Sequence, residues 1–196
     1  MTKRRNVSLH VPDPVSRPGD APNFSELIIP EAGSVQKPAF DSKEQTLRDL
    51  PFALIRTLDD NGLAKGDWKP EVENDDLIFA LETMILNRAF DARMFVAQRQ
   101  GKTSFFMKTS GEEALGVVPS IALRSDDMCF PTYRMVGWLL ARGYPLTDLM
   151  NQIFNNAADP LQGRQLPILY SAREYGFYSL SGNVGSRIGH GVGWAM

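Results

Sequence analysis

The sequence predicts an α/β domain in which helices surround an incomplete, mostly parallel sheet. Segments with hydrophobic residues at helical spacing alternate with short apolar segments typical of strands. Such alternation favours a layered fold with a parallel sheet. The chain has 196 residues and a formal charge of -2, which suits one domain that can bury a core. We expect a Pro-rich arm over residues 1–50 and the domain over residues 51–196, incomplete at its C-terminal end.

The first part of the chain is rich in proline and has few periodic hydrophobic residues. Prolines lie in the stretches 10–19 and 28–33, where they remove backbone donors and disfavour helix and sheet. An arm of this kind either stays mobile or lies on another subunit. A turn at 59–62 and a loop at 66–70 then lead into the domain.

The first long helix is predicted to begin at Asn74 and to end at Gly101. Asn74 can cap this helix, and the acidic residues after it suit the positive end of the helix dipole. Hydrophobic residues recur at helical spacing from Leu77 to Ile85, and the pattern continues beyond them. Asp91 is expected at the edge of the resulting apolar face.

Three shorter helices are predicted in the middle of the chain. Ser110 and Glu113 match a capping box at the start of the first, and Pro119 should kink or shorten it. The second helix ends before Gly143, which suits a C-cap. Apolar residues at helical spacing mark the third over 146–154.

Two apolar segments, 128–131 and 177–181, are predicted to be strands. The first leads into a turn with a Tyr-Arg pair, and the second leads into a Gly-rich turn over 181–186. The apolar run over 188–196 then indicates a buried helix that is unfinished where the sequence stops.

Composition and charge argue against several classes of protein. A near-neutral chain is a poor match for nucleic acid as the main partner. No stretch of about 20 apolar residues exists to span a membrane, and no apolar segment follows the basic N-terminus as a secretory signal requires. The single Cys129 cannot form an internal disulfide, which favours a reducing, cytoplasmic location. Only His10 and His190 are present, too few for a convincing transition-metal cluster.

The segment 129–137 carries the most informative motif. Here an apolar strand gives way to a turn with Tyr133 and Arg134, and a helix follows. A guanidinium, a hydroxyl and a helix N-terminus together suit a phosphate group. From this segment alone a simpler interpretation is favoured, in which Arg134 pairs with Asp126 or Asp127 at a surface turn.

Two further motifs have simple structural interpretations. The turn over 181–186 lacks the full Gly-x-Gly-x-x-Gly spacing and the lysine of a Walker loop. Its oxygens can ligate a hard cation, although a tight turn without a ligand explains it better. Glu112 and Glu113 can serve as acid and base, but helix capping explains Glu113 adequately.

Several of these segments occur together in one order and spacing. They lie at 90–94, 97–102, 105–107, 111–114, 130–134, 142–146, 159–167 and 181–186. As a set, they resemble the alpha subunit of thiamine-diphosphate-dependent 2-oxoacid dehydrogenases, the E1 component. The arm and the loop over 159–167 look most like the bacterial branched-chain (2-oxoisovalerate) member. The alpha subunits of pyruvate and acetoin dehydrogenases are the nearest alternatives.

The resemblance implies a partial thiamine-diphosphate-binding fold and a cofactor site. In that family the Tyr-Arg pair holds the cofactor diphosphate, which corresponds to Tyr133 and Arg134. The aminopyrimidine ring would lie by Gly182. Residues 105–107 can line the acyl pocket, although plain core is the favoured interpretation of that segment.

The resemblance also implies a potassium-type ion in the Gly-rich turn. Its ligands would correspond to Ser181, Asn183, Ser186 and Arg187. The family usually has Thr-Gln where this sequence has Ser186 and Arg187. Serine can replace threonine as an oxygen ligand, but arginine has no side-chain acceptor and adds a positive charge beside a cation.

Other parts of the family's machinery have no counterpart in these residues. The Gly-Asp-Gly…Asn segment that holds magnesium and the histidine-bearing active-site loop are not found. The carboxylate that activates the cofactor lies on the beta subunit in heterotetrameric members. We therefore assign no catalytic residue and expect a C-terminally truncated alpha subunit that is inactive alone.

The implied activity is oxidative decarboxylation of branched-chain 2-oxo acids, with acyl transfer to lipoamide. The implied partners are the E1 beta subunit and the lipoyl-bearing E2 component. A second hypothesis is a non-catalytic remnant that still binds the beta subunit. A third, an unrelated nucleotide-binding α/β module, is disfavoured by the missing Gly-x-Gly-x-x-Gly.

Overall fold

The structure is a computed structural model that describes residues 19–21 and 28–196. The chain divides into two compact units, Met1–Glu71 and Val72–Met196. The proline-rich stretch over 10–18 lies outside the described residues. The predicted division at residue 50 remains a prediction.

The described part of the first unit is built mainly from turns. It contains a short helix α1 (Glu44–Leu47) and a 3-10 turn at Leu50–Phe52. The predicted turn at 59–62 is present: the Asp59 carboxylate accepts backbone N–H bonds from Asn61 and Leu63, each 2.9 Å long. Asp59 thereby satisfies donors that the turn leaves free.

The second unit contains the five longer helices of the described chain. They are α2 (Asn74–Arg99), α3 (Glu113–Ala122), α4 (Val136–Ala141), α5 (Leu146–Phe154) and α6 (Ser186–Ala195), with a 3-10 turn at Arg173–Tyr175. All five helices lie close to where the sequence predicts them. The prediction that α6 is buried was wrong: Ile188, Val192 and Trp194 are 53–74% exposed, because the described residues cover only the side of α6 that meets Phe130 and Tyr178. Gly143 ends α4 as expected, because its φ of +77° allows a left-handed cap.

Neither predicted N-cap side chain is used. Asn74 lies inside α2 and Glu73 occupies the cap position, without a side-chain hydrogen bond. Ser110 does not cap α3, whose N-cap residue is Glu112. The capping predictions at Asn74 and Ser110 were therefore wrong.

The buried face of α2 also differs from the predicted one. Leu77 and Ile85, on the predicted apolar face, are 54% and 60% exposed. The buried residues of α2 are Ala80, Thr83, Asn87, Phe90, Asp91, Met94 and Ala97. Asp91, expected at the edge, is 1% exposed. This carboxylate is tolerated inside because it accepts two hydrogen bonds.

The core of the second unit lies where α4 and α5 meet the irregular segment over 168–180. Trp138 and Leu139 of α4, Leu149 and Ile153 of α5, and Phe177 are fully buried. Burial of such large apolar side chains supplies most of the stabilisation of the unit.

The predicted parallel sheet has one point of support. Cys129 and Phe177 form a parallel β-bridge, in which the Cys129 N–H donates to Gly176 O (2.6 Å) and the Tyr178 N–H donates to Cys129 O (2.9 Å). The predicted strands thus lie side by side, but no continuous strand forms among residues 28–196. The sheet remains a prediction.

Helices α3 and α4 cross closely at two glycines. A Cβ at Gly116 would lie 3.2 Å from the backbone of Gly137, and one at Gly137 would lie 2.9 Å from Val117 Cγ2. The contact brings the residues just before each helix together, and these residues form the candidate site. None of the helices within the described chain has the length and apolar character needed to cross a membrane.

Candidate cofactor site

The turn that carries Tyr133 and Arg134 lies directly before α4. Thr132 fixes the turn: its hydroxyl accepts from the Arg134 N–H at 3.3 Å, and its carbonyl accepts from the Met135 N–H at 3.1 Å. Helix α4 has only 6 residues. The binding groups of the site are therefore side chains rather than a helix terminus.

The Arg134 guanidinium is held from two directions. It donates to the carbonyl of Lys108, and its Nε atom lies 3.3 Å from an oxygen of Glu112. It also lies over the Tyr133 ring, 5.7 Å from the ring centroid. These contacts orient the guanidinium while leaving its side chain 32% exposed.

The simpler interpretation of Arg134, an ion pair with Asp126 or Asp127, was wrong. Arg124 pairs with both carboxylates, at 3.4 Å and 3.1 Å respectively. Arg134 is therefore not used to stabilise that turn.

Arg134 opens onto a cleft of about 150 Å³. The lining residues are Glu112, Thr132, Tyr133, Arg134, Val184 and Arg187. The cleft thus joins the Tyr-Arg turn to the Gly-rich turn that lies about fifty residues further along the chain. Hydroxyl and guanidinium donors on its walls suit an anion with several oxygens, such as a diphosphate.

A second cleft of about 260 Å³ also contacts Tyr133. It is lined by Tyr133, Gly182, Phe105, Met107 and the segment 166–169. Phe106 instead packs in the core against Phe90, with ring centroids 6.3 Å apart. Tyr133 lines both clefts, so the two clefts adjoin this side chain.

The Gly-rich turn is closed by its own hydrogen bonds. The Arg187 guanidinium donates to Ser181 O at 2.9 Å, and the Ser186 hydroxyl donates to Asn183 O at 2.9 Å. The Asn183 N–H donates to the Ser181 hydroxyl at 3.2 Å. Three oxygens of the turn thus already accept one hydrogen bond each, and Arg187 brings a positive charge where the implied site needs an acceptor, so the set fits a monovalent cation poorly.

Glu113 fixes the turn before α3 through an ion pair that the sequence did not indicate. The buried Glu113 carboxylate accepts from Arg88 at 2.9 Å and 2.7 Å, and from the Gly111 N–H at 2.9 Å. Burial raises the pKa of Glu113, but bonds from its own N–H, Arg88 and Gly111 outweigh burial and leave the pKa lowered. An ionised Glu113 therefore fixes the turn that presents Glu112.

Asp91 fixes the segment whose carbonyl accepts a hydrogen bond from Arg134. Its carboxylate accepts from the Thr109 N–H at 2.6 Å and from the Thr109 hydroxyl at 2.7 Å. Thr109 follows Lys108, whose carbonyl accepts from Arg134. Burial raises the pKa of Asp91, against the lowering effect of the Thr109 bonds. Asp91 thus ties α2 to the segment that holds the guanidinium.

Across the residues that the structure describes, no group of three or more His, Cys, Asp or Glu side chains is arranged to hold a metal ion. His190 is exposed, and its ring lies 5.6 Å from that of Tyr178. A magnesium ligand set is therefore not assigned within this part of the chain.

Two family patterns match the chain. The dehydrogenase E1 component pattern matches residues 81–196, which include every residue of both clefts. The pattern described as 2-oxoisovalerate dehydrogenase E1 alpha subunit N terminal matches residues 5–44. Between them, the two matches cover most of the arm and most of the helical unit.

Individual relatives agree with these matches. The chain is 48% identical over all 196 residues to the 2-oxoisovalerate dehydrogenase subunit alpha of Pseudomonas aeruginosa, of which it covers 48%. It is 34% identical over 141 residues to the mitochondrial 2-oxoisovalerate dehydrogenase subunit alpha 2 of Arabidopsis thaliana, and it covers 30% of that protein. It is 32% identical over 143 residues to the human mitochondrial alpha subunit, covering 32%. The chain spans half or less of the length of these relatives.

Proposed function

The chain belongs to the dehydrogenase E1 component family, and we propose that it acts as part of the alpha subunit of a branched-chain 2-oxoacid dehydrogenase. The proposed reaction is oxidative decarboxylation of a branched 2-oxo acid, followed by acyl transfer to a lipoyl group. The observation that carries the proposal is the cleft between Tyr133–Arg134 and the Gly-rich turn. The 48% identity to a 2-oxoisovalerate dehydrogenase alpha subunit supports the choice of substrate class.

Thiamine diphosphate is the proposed cofactor. When bound, it supplies the carbon that adds to the 2-oxo group and accepts the electrons left behind as carbon dioxide departs. Arg134 and Tyr133 would hold its diphosphate in the smaller cleft. Gly182 would lie against its ring, as the resemblance implies, and no heavy atom within 4 Å of the Cβ position there blocks that space.

Binding a diphosphate at this cleft requires a change at Glu112. Its carboxylate lines the cleft and pairs with Arg134. The Glu112 side chain is 44% exposed, so it can turn toward solvent. A diphosphate carries more charge than a carboxylate and matches the fork of a guanidinium. We therefore expect the cofactor to displace Glu112 from Arg134.

The larger, apolar cleft is the proposed acyl pocket. Phe105, Met107 and Leu166 present apolar surface next to Tyr133, and such surface favours a branched aliphatic acyl group over a polar one. The alternative substrates of pyruvate or acetoin dehydrogenases have smaller acyl groups. The relative rates with 2-oxoisovalerate and pyruvate distinguish these alternatives.

The proposed partners are an E1 beta subunit and a lipoyl-bearing E2 component. The exposed apolar face of α2, with Leu77, Ile78, Leu81 and Ile85 at 54–60% exposure, supports a protein contact. The same face favours a second candidate function, binding the beta subunit without catalysis. The proposal includes three further points. A mostly parallel sheet would extend the Cys129–Phe177 bridge, and residues outside this chain would hold the magnesium ion. The protein would act in the cytoplasm.

A chimera tests this function directly. The chain would replace the matching part of the Pseudomonas alpha subunit, and the product would be purified with its beta subunit. We expect decarboxylation of 2-oxoisovalerate that depends on thiamine diphosphate and exceeds that of pyruvate. Preference for pyruvate would contradict the substrate class. A complex that forms but does not bind the cofactor would support the binding function instead.

A further inference from the structure

Arg187 occupies an unusual place for a charged side chain. It lies in the first turn of α6 and is 8% exposed. The N-terminal end of a helix carries partial positive charge, which disfavours a cation there. A buried guanidinium at this position therefore needs an acceptor that offsets both burial and the helix dipole.

The acceptor is the backbone of the Gly-rich turn. Arg187 Nη2 donates to Ser181 O at 2.9 Å. Its Nε atom is buried and has no hydrogen-bond partner. A side-chain cation thus donates to a backbone oxygen of Ser181, the residue that the resemblance assigns to a potassium-type ion.

Two further oxygens of the turn accept hydrogen bonds from the chain itself. Ser186 donates to Asn183 O, and the Asn183 N–H donates to the Ser181 hydroxyl. A potassium ion needs several oxygen ligands with free lone pairs, and a guanidinium offers none. The positive charge of Arg187 would also repel a potassium ion at close range in a partly buried site.

We propose that the Arg187 guanidinium replaces the monovalent cation in this turn, so that the turn is held in place without potassium. Only the expectation of a cation there rests on the proposed function. Because Arg187 also lines the cleft that contains Arg134, its charge becomes a permanent part of the anion-binding wall. Formation of the site then does not depend on the potassium concentration.

Hydrogen exchange of the full chain, followed by mass spectrometry of peptides over 181–190, tests the proposal without any cofactor. The chain would be compared in potassium chloride and in choline chloride at equal ionic strength. We expect the same exchange rates in both salts. Slower exchange of this turn in potassium than in choline would overturn the proposal, because it would show that the ion binds there.

The variant Arg187→Gln provides a second test of the proposal. Loss of one charge-assisted hydrogen bond should speed exchange of the turn in choline by about tenfold. Glutamine supplies an oxygen acceptor, so potassium should slow the exchange of this variant again. The matched control is Arg173→Gln, since Arg173 is an exposed arginine in the 3-10 turn.

The possible results distinguish a failure of this proposal from a failure of the proposed function. An Arg187→Gln variant that exchanges like the unsubstituted chain in both salts would contradict a bracing role for Arg187. If this variant does not fold, the comparison of salts on the unsubstituted chain still decides whether a cation is needed. Failure of the proposed function would instead appear in the chimera's activity, which this experiment does not use.

Discussion

The Nε atom of Arg134 lies 3.3 Å from a carboxylate oxygen of Glu112. Glu112 is the N-cap residue of α3, and Arg134 lies in the turn before α4. One ion pair therefore joins the starts of two helices at the mouth of the candidate cofactor cleft. The close crossing of α3 and α4 sets this distance. A substitution at the crossing should therefore change the geometry of the site.

Gly137→Ala tests the helix crossing. The added Cβ would lie 2.9 Å from Val117 Cγ2 and 3.3 Å from Glu113 O. We expect a loss of about 1–3 kcal/mol in the free energy of unfolding, as for other overpacked cores. Denaturant unfolding measures it. Gly189→Ala is the control, because nothing lies within 4 Å of that Cβ position in α6. It should stabilise the helix by up to about 1 kcal/mol. Equal effects of the two changes would argue against a tight crossing.

Asp91→Asn tests the buried carboxylate. Burial holds the pKa of Asp91 above its ordinary value of 3.8, despite the Thr109 bonds that lower it. Protonation therefore favours the folded state, and this contribution is lost as the pH rises through the folded pKa. The unsubstituted chain should gain stability relative to Asp91→Asn as the pH falls from neutral. Denaturant unfolding over this range measures the difference, and a pH-independent difference would be contrary evidence.

Glu113→Gln should show the opposite dependence on pH. Burial raises the pKa of Glu113, but its hydrogen bonds outweigh burial and hold the pKa below the ordinary value of 4.5. Its stabilising effect is present above that value and is lost as the pH falls through the folded pKa. The advantage of the unsubstituted chain over Glu113→Gln should therefore shrink in acid. Glu82→Gln, an exposed change on α2, is the control and should show no such trend.

Cys129 should react slowly in the folded chain. Burial raises the pKa of its thiol to about 11, although Arg142 acts to lower it. Since only the thiolate reacts, alkylation should be roughly a few hundredfold slower than for a free cysteine. Cys129 is the only cysteine in the sequence, so iodoacetamide labelling followed by mass spectrometry reports on it alone. Equal rates in native buffer and in denaturant would refute this prediction.

The sequence predicted those features whose signals are local. Helix α5 follows from apolar residues at helical spacing, and two of them, Leu149 and Ile153, are fully buried. The end of α4 follows from Gly143, which supplies the left-handed residue that a helix C-cap needs. Neither requires knowledge of distant partners.

The predictions that failed depend on partners far away in the chain. Glu113 was interpreted as part of a capping box, but it pairs with Arg88, 25 residues earlier. Asp91 was placed at the edge of α2, but Thr109, 18 residues later, makes its burial possible. Such pairings cannot be derived from helical spacing, because spacing says which residues share a face and not what that face meets.

The candidate site could be predicted from the sequence only in part. The Tyr133–Arg134 motif alone favoured a surface ion pair, and only the resemblance of the whole chain indicated a diphosphate site. In the structure, Arg134 lines a cleft together with Val184 and Arg187 of the Gly-rich region. The sequence marked Arg187 as an arginine where the family usually has glutamine, but it did not indicate the hydrogen bond from Arg187 to Ser181 O.

Calorimetric titration of thiamine diphosphate into the chimera with its beta subunit, in the presence of magnesium, tests the central claim most directly. Arg134→Ala should weaken binding by about 10- to 100-fold, because it removes a charge-assisted contact to the diphosphate. Arg93→Ala, an exposed change on α2, should leave the affinity unchanged. An Arg134→Ala variant that binds the cofactor as tightly as the unsubstituted protein would contradict the assignment of this cleft.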